Sequence, residues 1–347
     1  MEDAIVVGAG QAGLAAAYCL RRRNVDPLVL DAAEPGDSWR RRYDSLVLFT
    51  PARYSALPGT PFPLPADLYP TKDQVADYLA AYAHRHRLRV LGNRRVVALR
   101  RIGDTGFAIG TADGGELTAR SVFVATGALQ GPALPDCASR LDPGVHQLHA
   151  SAYRRPADLP PGRLVVVGAG NSGAQIAEEL SLVREVAVAF GRLPLRLPQR
   201  LLGRDIFWWL LRAGVMDRTT GPTREAAGVV GSIPLIGSRL PRLLRRGVVA
   251  RRGRVVDAVG RRLTFSDGTS LEPDVVIWAT GYRNDFSWID VEGALDRRGA
   301  PVHMRGVSPI PGLFFIGLPG LHTKGSAFLG FVGRDAEHLA AVRSGDA

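Results

Sequence analysis

The sequence is poor in cysteine: its 347 residues include only two, Cys19 and Cys137. These two residues stand far apart and form no Cys-x-x-Cys pair, the arrangement of a dithiol that shuttles electrons. The absence argues against a disulfide reductase that uses its own dithiol. Two separated cysteines also lack the spacing of metal ligands, so we expect no metal site.

Long apolar runs are missing as well. The longest dense apolar stretch covers residues 206–211, whereas a membrane-spanning helix needs about 20 apolar residues. No charged and then apolar leader precedes the first apolar strand. These absences predict a cytoplasmic protein with no stable membrane insertion.

Lysine is almost absent, although the chain is basic. All of the 44 basic residues except Lys72 and Lys324 are arginines, and they outnumber 33 acidic residues to give a net charge of +11. The arginines occur in every segment rather than in one cluster with interleaved aromatics, so we expect no nucleic-acid partner. The positive charge still favours anionic small ligands such as dinucleotides.

The chain opens on a glycine motif in residues 4–31. A short apolar strand leads into Gly8, Gly10 and Gly13, a helical run follows, and a second strand ends at Asp31. In a dinucleotide-binding βαβ unit the first glycine allows a tight turn, the second admits the pyrophosphate and the third lets the helix pack against the strand. A carboxylate at the end of the second strand can accept from a ribose hydroxyl. The motif predicts a dinucleotide site at the N-terminal end of the first helix.

An internal repeat restates this motif about 160 residues later, in residues 164–173. Each copy continues through short alternating strands to an apolar strand that ends in Ala-Thr-Gly, at residues 125–127 and 279–281. The length and the 46% hydrophobic composition supply cores for two domains. We therefore expect an α/β fold with two Rossmann-like dinucleotide-binding domains.

The two copies differ after their second strands. The first ends on Asp31, whereas the second continues into Arg192, whose planar cation suits a 2′-phosphate. This difference favours NADPH over NADH at the second site. The alternative is that Arg192 is simply one of the many arginines on a solvated edge.

The pair of glycine motifs resembles the flavoproteins with two dinucleotide-binding domains, and the stretches between them resemble class B flavin-dependent monooxygenases. Residues 38–40, Ser-Trp-Arg, are similar to the stretch that runs beside the flavin in that family. The Tyr-Pro-Thr-Lys of residues 69–72 resembles the plant indole-pyruvate monooxygenase branch. The resemblance covers nearly the whole chain.

The family's identifying stretch, Phe-x-Gly-x-x-x-His-x-x-x-Tyr/Phe, matches in its second half through His149 and Tyr153. Its first half departs, because Pro143 and Val145 stand where the family has Phe and Gly. Tyr153 favours the N- or S-oxygenating type over the Baeyer–Villiger type. An Asn that other branches place near the flavin is replaced by Phe49, which leaves the substrate class open.

The resemblance implies that the NADPH domain is inserted into the FAD domain. We expect the FAD domain in residues 1–158 and 283–347 and the NADPH domain in residues 159–282. An arginine-rich, partly helical insertion at about residues 193–254 has residues 206, 209, 210 and 213 on one helical face. This insertion is expected to form a lid over the substrate, a partner surface or a simple cap on the core. An interfacial membrane helix is less favoured.

The resemblance also implies which residues bind each cofactor. The FAD-binding residues are expected to be Gly8, Gly10, Gln11, Ala12, Gly13, Asp31, Ser38, Trp39, Arg40, Val97, Thr126, Gly127, Gly317, Lys324 and Ser326. The NADPH-binding residues are expected to be Gly168, Gly170, Asn171, Ser172, Gly173, Arg192, Thr280 and Gly281. A helix from about residue 326 to 342 is expected to aim its N-terminus at the flavin pyrimidine.

The implied activity is that of an NADPH- and FAD-dependent monooxygenase. In the family NADPH reduces the flavin, O2 forms a C4a-(hydro)peroxyflavin, and one oxygen atom passes to a small organic substrate by N- or S-oxygenation or by attack on a carbonyl. Trp39, Arg40 and Thr50 are expected to line the reactive pocket, with no protein nucleophile. An NADPH-dependent flavin oxidoreductase or oxidase, or a non-oxygenating redox sensor, is the alternative on the same fold. A homo-oligomer is left open.

Overall fold

The computed structural model describes residues 1–219 and 233–345. This part of the chain contains seven α-helices: α1 (Gln11–Arg21), α2 (Asp37–Arg40), α3 (Lys72–Arg85), α4 (Asn171–Leu180), α5 (Ile206–Arg212), α6 (Leu240–Arg245) and α7 (Gly333–Ser344). Three short 3-10 helices cover Ala52–Tyr54, Asp136–Arg140 and Pro156–Asp158. Thr71 and Gln74 form a reciprocal capping box that starts α3.

The strands fall into two series that follow the repeat. The first series is β1 (Ile5–Val7), β2 (Leu28–Leu30), β3 (Arg89–Leu91), β4 (Val96–Ile102), β5 (Gly106–Thr111), β6 (Glu116–Ala119), β7 (Val122–Val124), β8 (Gly131–Pro132) and β9 (His146–His149). The second is β10 (Leu164–Val167), β11 (Val186–Ala189), β12 (Arg196–Leu197), β13 (Arg200–Leu201), β14 (Arg204–Asp205), β15 (Leu235–Ile236), β16 (Val249–Arg252), β17 (Val255–Val259), β18 (Arg262–Phe265), β19 (Ser270–Leu271), β20 (Val275–Trp278), β21 (Tyr282–Arg283), β22 (Ile289–Asp290) and β23 (Leu313–Phe315).

The first sheet has five parallel strands in the order β23-β7-β1-β2-β3. Its central strands are short, apolar and buried on both faces, as is typical of parallel sheets. One face packs against α1, α3 and α7, and the other packs against the antiparallel meander β4-β5-β6. The last strand, β23, brings the end of the chain back to the first sheet, as the sequence predicts.

The second sheet repeats this order with five parallel strands, β16-β11-β10-β20-β9. The meander β17-β18-β19 precedes its strand β20, as β4-β5-β6 precedes β7. Strand β9 pairs with β20 over four residues, so it belongs to the second sheet although the expected first-domain range, residues 1–158, includes it. Cys137, Leu141 and Val145 pack in the same second core.

Two chain crossings join the sheets. Strand β8 follows β7 of the first sheet, and β21 follows β20 of the second. The two strands pair antiparallel through residues 131–132 and 282–283. Strand β22 then pairs with β4 of the first meander. The chain therefore passes from one sheet to the other and back through a single two-stranded ribbon.

The insertion and the C-terminal helix differ from the expectation. Within the insertion, residues 220–232 lie outside the described residues. In α5 the buried residues are Ile206 and Phe207, whereas Ala213 of the expected face is exposed. The last helix starts at Gly333 rather than near Ser326, because residues 322–332 form turns in which Gly330 lies against the backbone of Tyr54.

The described residues contain no helix that is long and apolar enough to cross a membrane.

Candidate functional site

The first glycine turn connects β1 to α1. Gly8 has φ +115°, and a Cβ there would lie 2.5 Å from the carbonyl oxygen of Ala125, so only glycine fits. A Cβ on Gly13 would lie 1.8 Å from the carbonyl oxygen of Gly8, which shows how closely the helix approaches the strand. Gly10 is different, because a Cβ there would meet no atom within 4 Å. The space beside Gly10 is therefore open to a ligand at the helix N-terminus.

The second glycine turn has the same geometry. Gly168 has φ +108° and its Cβ would lie 2.3 Å from the carbonyl oxygen of Ala279, while that of Gly173 would lie 2.1 Å from the oxygen of Gly168. Gly170 faces open space, as Gly10 does. Both residues cap their helices without a side-chain hydrogen bond, which leaves backbone N–H groups available to an anion. The structure thus provides two matching glycine turns, each with an open helix N-terminus.

Other residues expected at the first site gather around the first turn. Asp31 accepts from the amide of Ala9 at 2.6 Å, which places its carboxylate beside the glycine turn. A Cβ on Gly317 would lie 2.5 Å from the Cβ of Ala12, so the segment after β23 lies directly on α1. Gln11 donates from Nε2 to the carbonyl oxygen of Ala327 at 3.0 Å. The C-terminal return therefore completes this site.

Ser326 holds the loop above the first turn. Its buried Oγ accepts from the backbone amides of His322 at 3.2 Å and Thr323 at 3.0 Å. Asp335, in the first turn of α7, lies beside Ser326, and burial raises the pKa of its carboxyl. Ser326 thus has a positioning role that the sequence did not reveal.

The Ala-Thr-Gly segments lie next to the glycine turns. Thr126 accepts from Gln130 Nε2 at 3.0 Å, and the same amide donates to the carbonyl oxygen of Gly127. In the second copy the hydroxyl of Thr280 donates to the carbonyl oxygen of Ala133 on the crossing. These segments therefore connect each turn to the ribbon between the sheets.

His149 lies at this junction. The amide of Ser151 donates to Nδ1 at 3.1 Å, so Nδ1 is an acceptor and the ring proton lies on Nε2, which donates to the carbonyl oxygen of Gly281 at 2.8 Å. The ring also packs edge-on against Tyr282 at 5.0 Å. Burial lowers the pKa of His149, in agreement with a neutral ring. His149 therefore fixes the end of β9 to the segment that leads from β20 into the ribbon strand β21.

The three residues expected to line a reactive pocket, Trp39, Arg40 and Thr50, differ in exposure. Arg40 is exposed and its guanidinium donates to Asp77 on α3 at 2.8 Å, while Trp39 packs half-buried on the first core and Ser38 is exposed. Thr50 is buried, and its hydroxyl accepts from Ser55 at 2.9 Å. Of the three expected pocket residues, Thr50 is the buried polar one, and Ser38 belongs to the expected FAD-binding residues.

An aromatic cluster beside Thr50 was missed by sequence reasoning. The ring of Phe49 stacks on Phe207 of the insertion at 6.1 Å and packs edge-on against Phe328 of the C-terminal return at 5.9 Å. Three segments distant in the chain therefore meet here. Phe49 and Phe207 were both visible in the sequence, but no local pattern connects them.

Polar contacts fix the insertion onto the same segment. Asp205 caps α5 by accepting from the amide of Phe207 at 2.8 Å, and its other oxygen accepts from Tyr69 at 2.7 Å and Gln199 at 3.0 Å. Gln199 also donates to the carbonyl oxygen of Phe49 at 3.0 Å. Tyr69 belongs to the Tyr-Pro-Thr-Lys segment, which explains one structural use of that motif.

The remaining residues expected to bind a cofactor lie in loops, near the start of β4 or in the first turn of α4. Val97 is exposed at an irregular pairing in β4, and Lys324 is exposed with its amide donating to the carbonyl oxygen of Arg218 at 3.3 Å. Asn171 donates from Nδ2 to the carbonyl oxygen of Pro234 at 3.1 Å, and Ser172 follows it in the first turn of α4. Arg192 is exposed on the loop after β11. The described residues contain no group of side chains that could hold a metal ion.

Both cysteines are free and buried, and they lie in different cores. Burial raises the pKa of Cys19 well above its usual range and also raises that of Cys137. Neither is therefore an activated thiolate. The structure agrees with the expectation that no dithiol of this chain carries electrons.

Parallel sheets that each carry a glycine turn with an open helix N-terminus define an α/β protein of the nucleotide-binding class. The family model described as "Pyridine nucleotide-disulphide oxidoreductase" matches residues 5–190. An oxidoreductase of Geobacillus kaustophilus described as CzcO-like is 41% identical, over 97% of both chains. The indole-3-pyruvate monooxygenase YUCCA1 of Oryza sativa subsp. japonica is 31% identical, over 99% of this chain and 91% of its own.

A solved flavin-containing monooxygenase from Stenotrophomonas maltophilia matches over 99% of both chains, with a TM-score of 0.83 and 29% identity. The chain belongs to the flavin monooxygenase-like pyridine nucleotide oxidoreductases. It is an oxidoreductase, and FAD and NADPH are the cofactors of this family. The resemblance read from the sequence is confirmed.

Proposed function

We propose that this protein is an NADPH- and FAD-dependent monooxygenase that transfers one oxygen atom of O2 to a small organic substrate. The observation that carries the proposal is the pair of matching turns, each with an open position at a helix N-terminus. A separate buried aromatic cluster offers an apolar wall for a substrate. FAD, when bound, supplies the redox chemistry between NADPH and O2. The chain supplies binding, orientation and the exclusion of water.

We further propose two dinucleotide-binding domains, the second inserted into the first. The FAD domain is assigned to residues 1–158 and 283–347 and the NADPH domain to residues 159–282, except that strand β9 adds to the second sheet. The shared strand order of the two sheets supports this division. The ribbon β8-β21 then forms the joint between the domains.

In this proposal the first turn binds FAD. The backbone around Gly10 donates to the pyrophosphate, and Asp31 accepts from a ribose hydroxyl while keeping its contact to Ala9. Gly317 lets the C-terminal return approach α1, and Ser326 fixes the loop beyond it. These contacts order the part of the site nearest to the aromatic cluster.

The second turn binds NADPH. Gly170 admits the pyrophosphate as Gly10 does, and Arg192 pairs with the 2′-phosphate. Thr280 and Gly281 lie at the end of β20 and connect this site to His149. His149 thus fixes the segment after β20, at the edge of this site, to the end of β9.

The substrate pocket is proposed beside Thr50, under the wall of Phe49, Phe207 and Phe328. Thr50 supplies a hydroxyl and Trp39 supplies an indole ring at the edge of the first core, while Arg40 remains tied to Asp77. The aromatic wall keeps water away from the reacting atoms, and no protein nucleophile is required.

The test supplies the FAD-loaded enzyme with NADPH, isotopically labelled O2 and a panel of amines, sulfides and ketones. We expect one labelled oxygen atom in a product, and release of hydrogen peroxide that falls as that substrate is added. Peroxide release that accounts for all of the NADPH with every substrate class would contradict the monooxygenase proposal.

That outcome would favour the alternative, an NADPH-dependent flavin oxidase or reductase. The departure of the identifying stretch at Pro143 and Val145 motivates this alternative, and Val145 is buried in the second core. Failure to consume NADPH at all would instead favour a non-oxygenating redox sensor.

A further inference from the structure

The insertion presents an exposed leucine hairpin, defined here as strands β13 and β14 with their turn, residues 200–205. Leu202 and Gly203 form the two-residue turn, with φ +47° and +74°. A leucine is disfavoured at positive φ, where Asn or Gly is the usual choice. Leu202 is also 82% exposed and Leu201 44% exposed. Backbone preference and the hydrophobic effect therefore both oppose a leucine at this position in water.

Two tryptophans lie behind the hairpin on α5. Trp209 donates from Nε1 to the carbonyl oxygen of Leu201 at 3.0 Å, which fastens the hairpin to the helix. Trp208 packs edge-on against Trp209, and the guanidinium groups of Arg204 and Arg212 lie over its ring at 5.5 and 5.0 Å. The hairpin and helix thus form one unit with leucines at its tip and tryptophan and arginine behind them.

The charge on this unit has one sign. Arg196, Arg200, Arg204 and Arg212 are all exposed. The two acids of residues 193–219 are both engaged, since Asp205 is buried with its oxygens accepting three hydrogen bonds and Asp217 pairs with Arg334. The described part of this unit therefore presents exposed arginines with no exposed acid that is free to neutralise them.

We propose that the leucine hairpin docks this protein reversibly onto an anionic lipid bilayer. Leucines at the tip enter the boundary between headgroups and acyl chains, tryptophan lies at headgroup level, and the arginines pair with lipid phosphates. This is peripheral association by a short segment. It agrees with the absence of a membrane-crossing helix among the described residues.

Charge and shape favour the bilayer over other occupants. A symmetric contact between two copies would bring the arginines of both hairpins together, and like charges in contact oppose it. The phosphates of a nucleic acid would pair with the arginines, but a nucleic acid offers no apolar surface that would bury the two exposed leucines. A lipid surface satisfies both the charge and the apolar tip.

The first measurement is co-sedimentation of the FAD-loaded enzyme with vesicles of phosphatidylcholine alone and of phosphatidylcholine mixed with phosphatidylglycerol. We expect binding to the anionic vesicles and little to the neutral ones. The bound fraction falls as salt is raised, because salt screens exposed charges beyond about 10 Å at 0.1 M. Enzyme that stays in the supernatant with both vesicle types overturns the proposal.

The decisive variant is Leu202→Asn. Asn accepts positive φ, so the fold is at least as stable as before, while the apolar tip is lost. We expect about tenfold weaker vesicle binding with unchanged NADPH consumption. The matched control is Leu182→Asn, which removes a 72% exposed leucine after α4 and leaves binding unchanged. Equal sedimentation of Leu202→Asn and wild type contradicts the proposal.

The charge is tested with the double variant Arg204→Gln and Arg212→Gln. Each lost arginine weakens binding roughly fivefold, the factor that about 1 kcal/mol per charge gives. The control pair Arg297→Gln and Arg298→Gln removes two exposed arginines elsewhere and has no effect. A size measurement without lipid completes the test, because a dimer that Leu202→Asn dissociates, without vesicle binding, would assign the hairpin to a second copy and overturn the proposal.

Discussion

At the scale of single residues, Gly10 and Gly170 are informative because their surroundings are alike. Both have extended backbone conformations that any residue adopts, and both face open space. The fold therefore tolerates a side chain at either position, unlike at Gly8 or Gly13. The packing of the chain does not require glycine at these positions, which agrees with the proposed pyrophosphate sites.

We expect Gly10→Val to leave the protein folded but to weaken FAD binding at least about tenfold, because the side chain occupies the space of the pyrophosphate. The matched variant Gly170→Val keeps the yellow colour and loses reduction by NADPH. Flavin absorbance after gel filtration and the rate of anaerobic reduction measure the two effects. A colourless Gly170→Val protein, or a fully yellow Gly10→Val protein, would refute the assignment of the two turns.

Arg192 allows a second prediction at this scale. Its replacement by Ala removes a charge-assisted contact to the 2′-phosphate and raises the KM for NADPH about tenfold, with little change in the KM for NADH. The exposed Arg261, which pairs with Asp274, provides the control variant Arg261→Ala. An unchanged ratio of the two KM values would show that Arg192 belongs to a solvated edge.

At the scale of elements, helix α5 joins the insertion to the segment around Phe49 and Tyr69. Phe207 is fully buried between Phe49, Phe328 and Phe331, and Asp205 caps the helix while it contacts Tyr69. The helix is only two turns long, so its own hydrogen bonds cannot hold it. Packing of the Phe207 ring, together with the contacts of Asp205, therefore positions this element.

Accordingly, Phe207→Ala is expected to lower the free energy of unfolding by about 3 kcal/mol, the usual cost of emptying a buried phenylalanine site. Phe207→Leu keeps the site apolar and costs roughly 1 kcal/mol. Denaturant unfolding of the two variants and the wild type provides the comparison. Equal stability of the alanine variant and the wild type would mean that the insertion is held by its polar contacts instead.

At the scale of the whole molecule, His149 lies where the second sheet leads into the ribbon that connects the two sheets. Burial lowers the pKa of this ring from 6.5, and its neutral form both accepts from Ser151 and donates to Gly281. Protonation would place a proton on the accepting nitrogen and break the first contact. Acid therefore weakens the contact that orients the His149 ring at the base of the ribbon.

The sign of this effect follows from linkage. A histidine with a lowered pKa in the folded state gives full stability above its unfolded pKa of 6.5, and that stability is lost as pH falls through the folded value. We expect thermal stability to decline below about pH 6.5 and His149→Gln to show a smaller decline. Since His303 and His338 also have a lowered pKa because of burial, the variant His303→Gln serves as the comparison. A decline of the same size in His149→Gln and in the wild type would exclude His149 as a source.

Much of the fold could be predicted from residues that are near each other in the chain. The glycine turns, the strands before them and the two meanders are local patterns, and the repeat shows that they occur twice. The predicted start of the last helix was wrong. The segment before Gly333 packs against a distant part of the chain, as Gly330 does against the backbone of Tyr54, and such contacts are not local.

The sequence by itself determined two dinucleotide-binding patterns, the class of protein and the absence of a redox-active dithiol, because each depends on residue types at short spacing. Only the tertiary structure decided that Phe49, Phe207 and Phe328 form one cluster, that Arg40 pairs with Asp77 and that β9 belongs to the second sheet. These features depend on which distant segments meet, and no local periodicity records that. The same reason holds for the leucine hairpin. In the sequence Leu201 and Leu202 do not differ from other pairs of apolar residues, and only the fold shows that they are exposed.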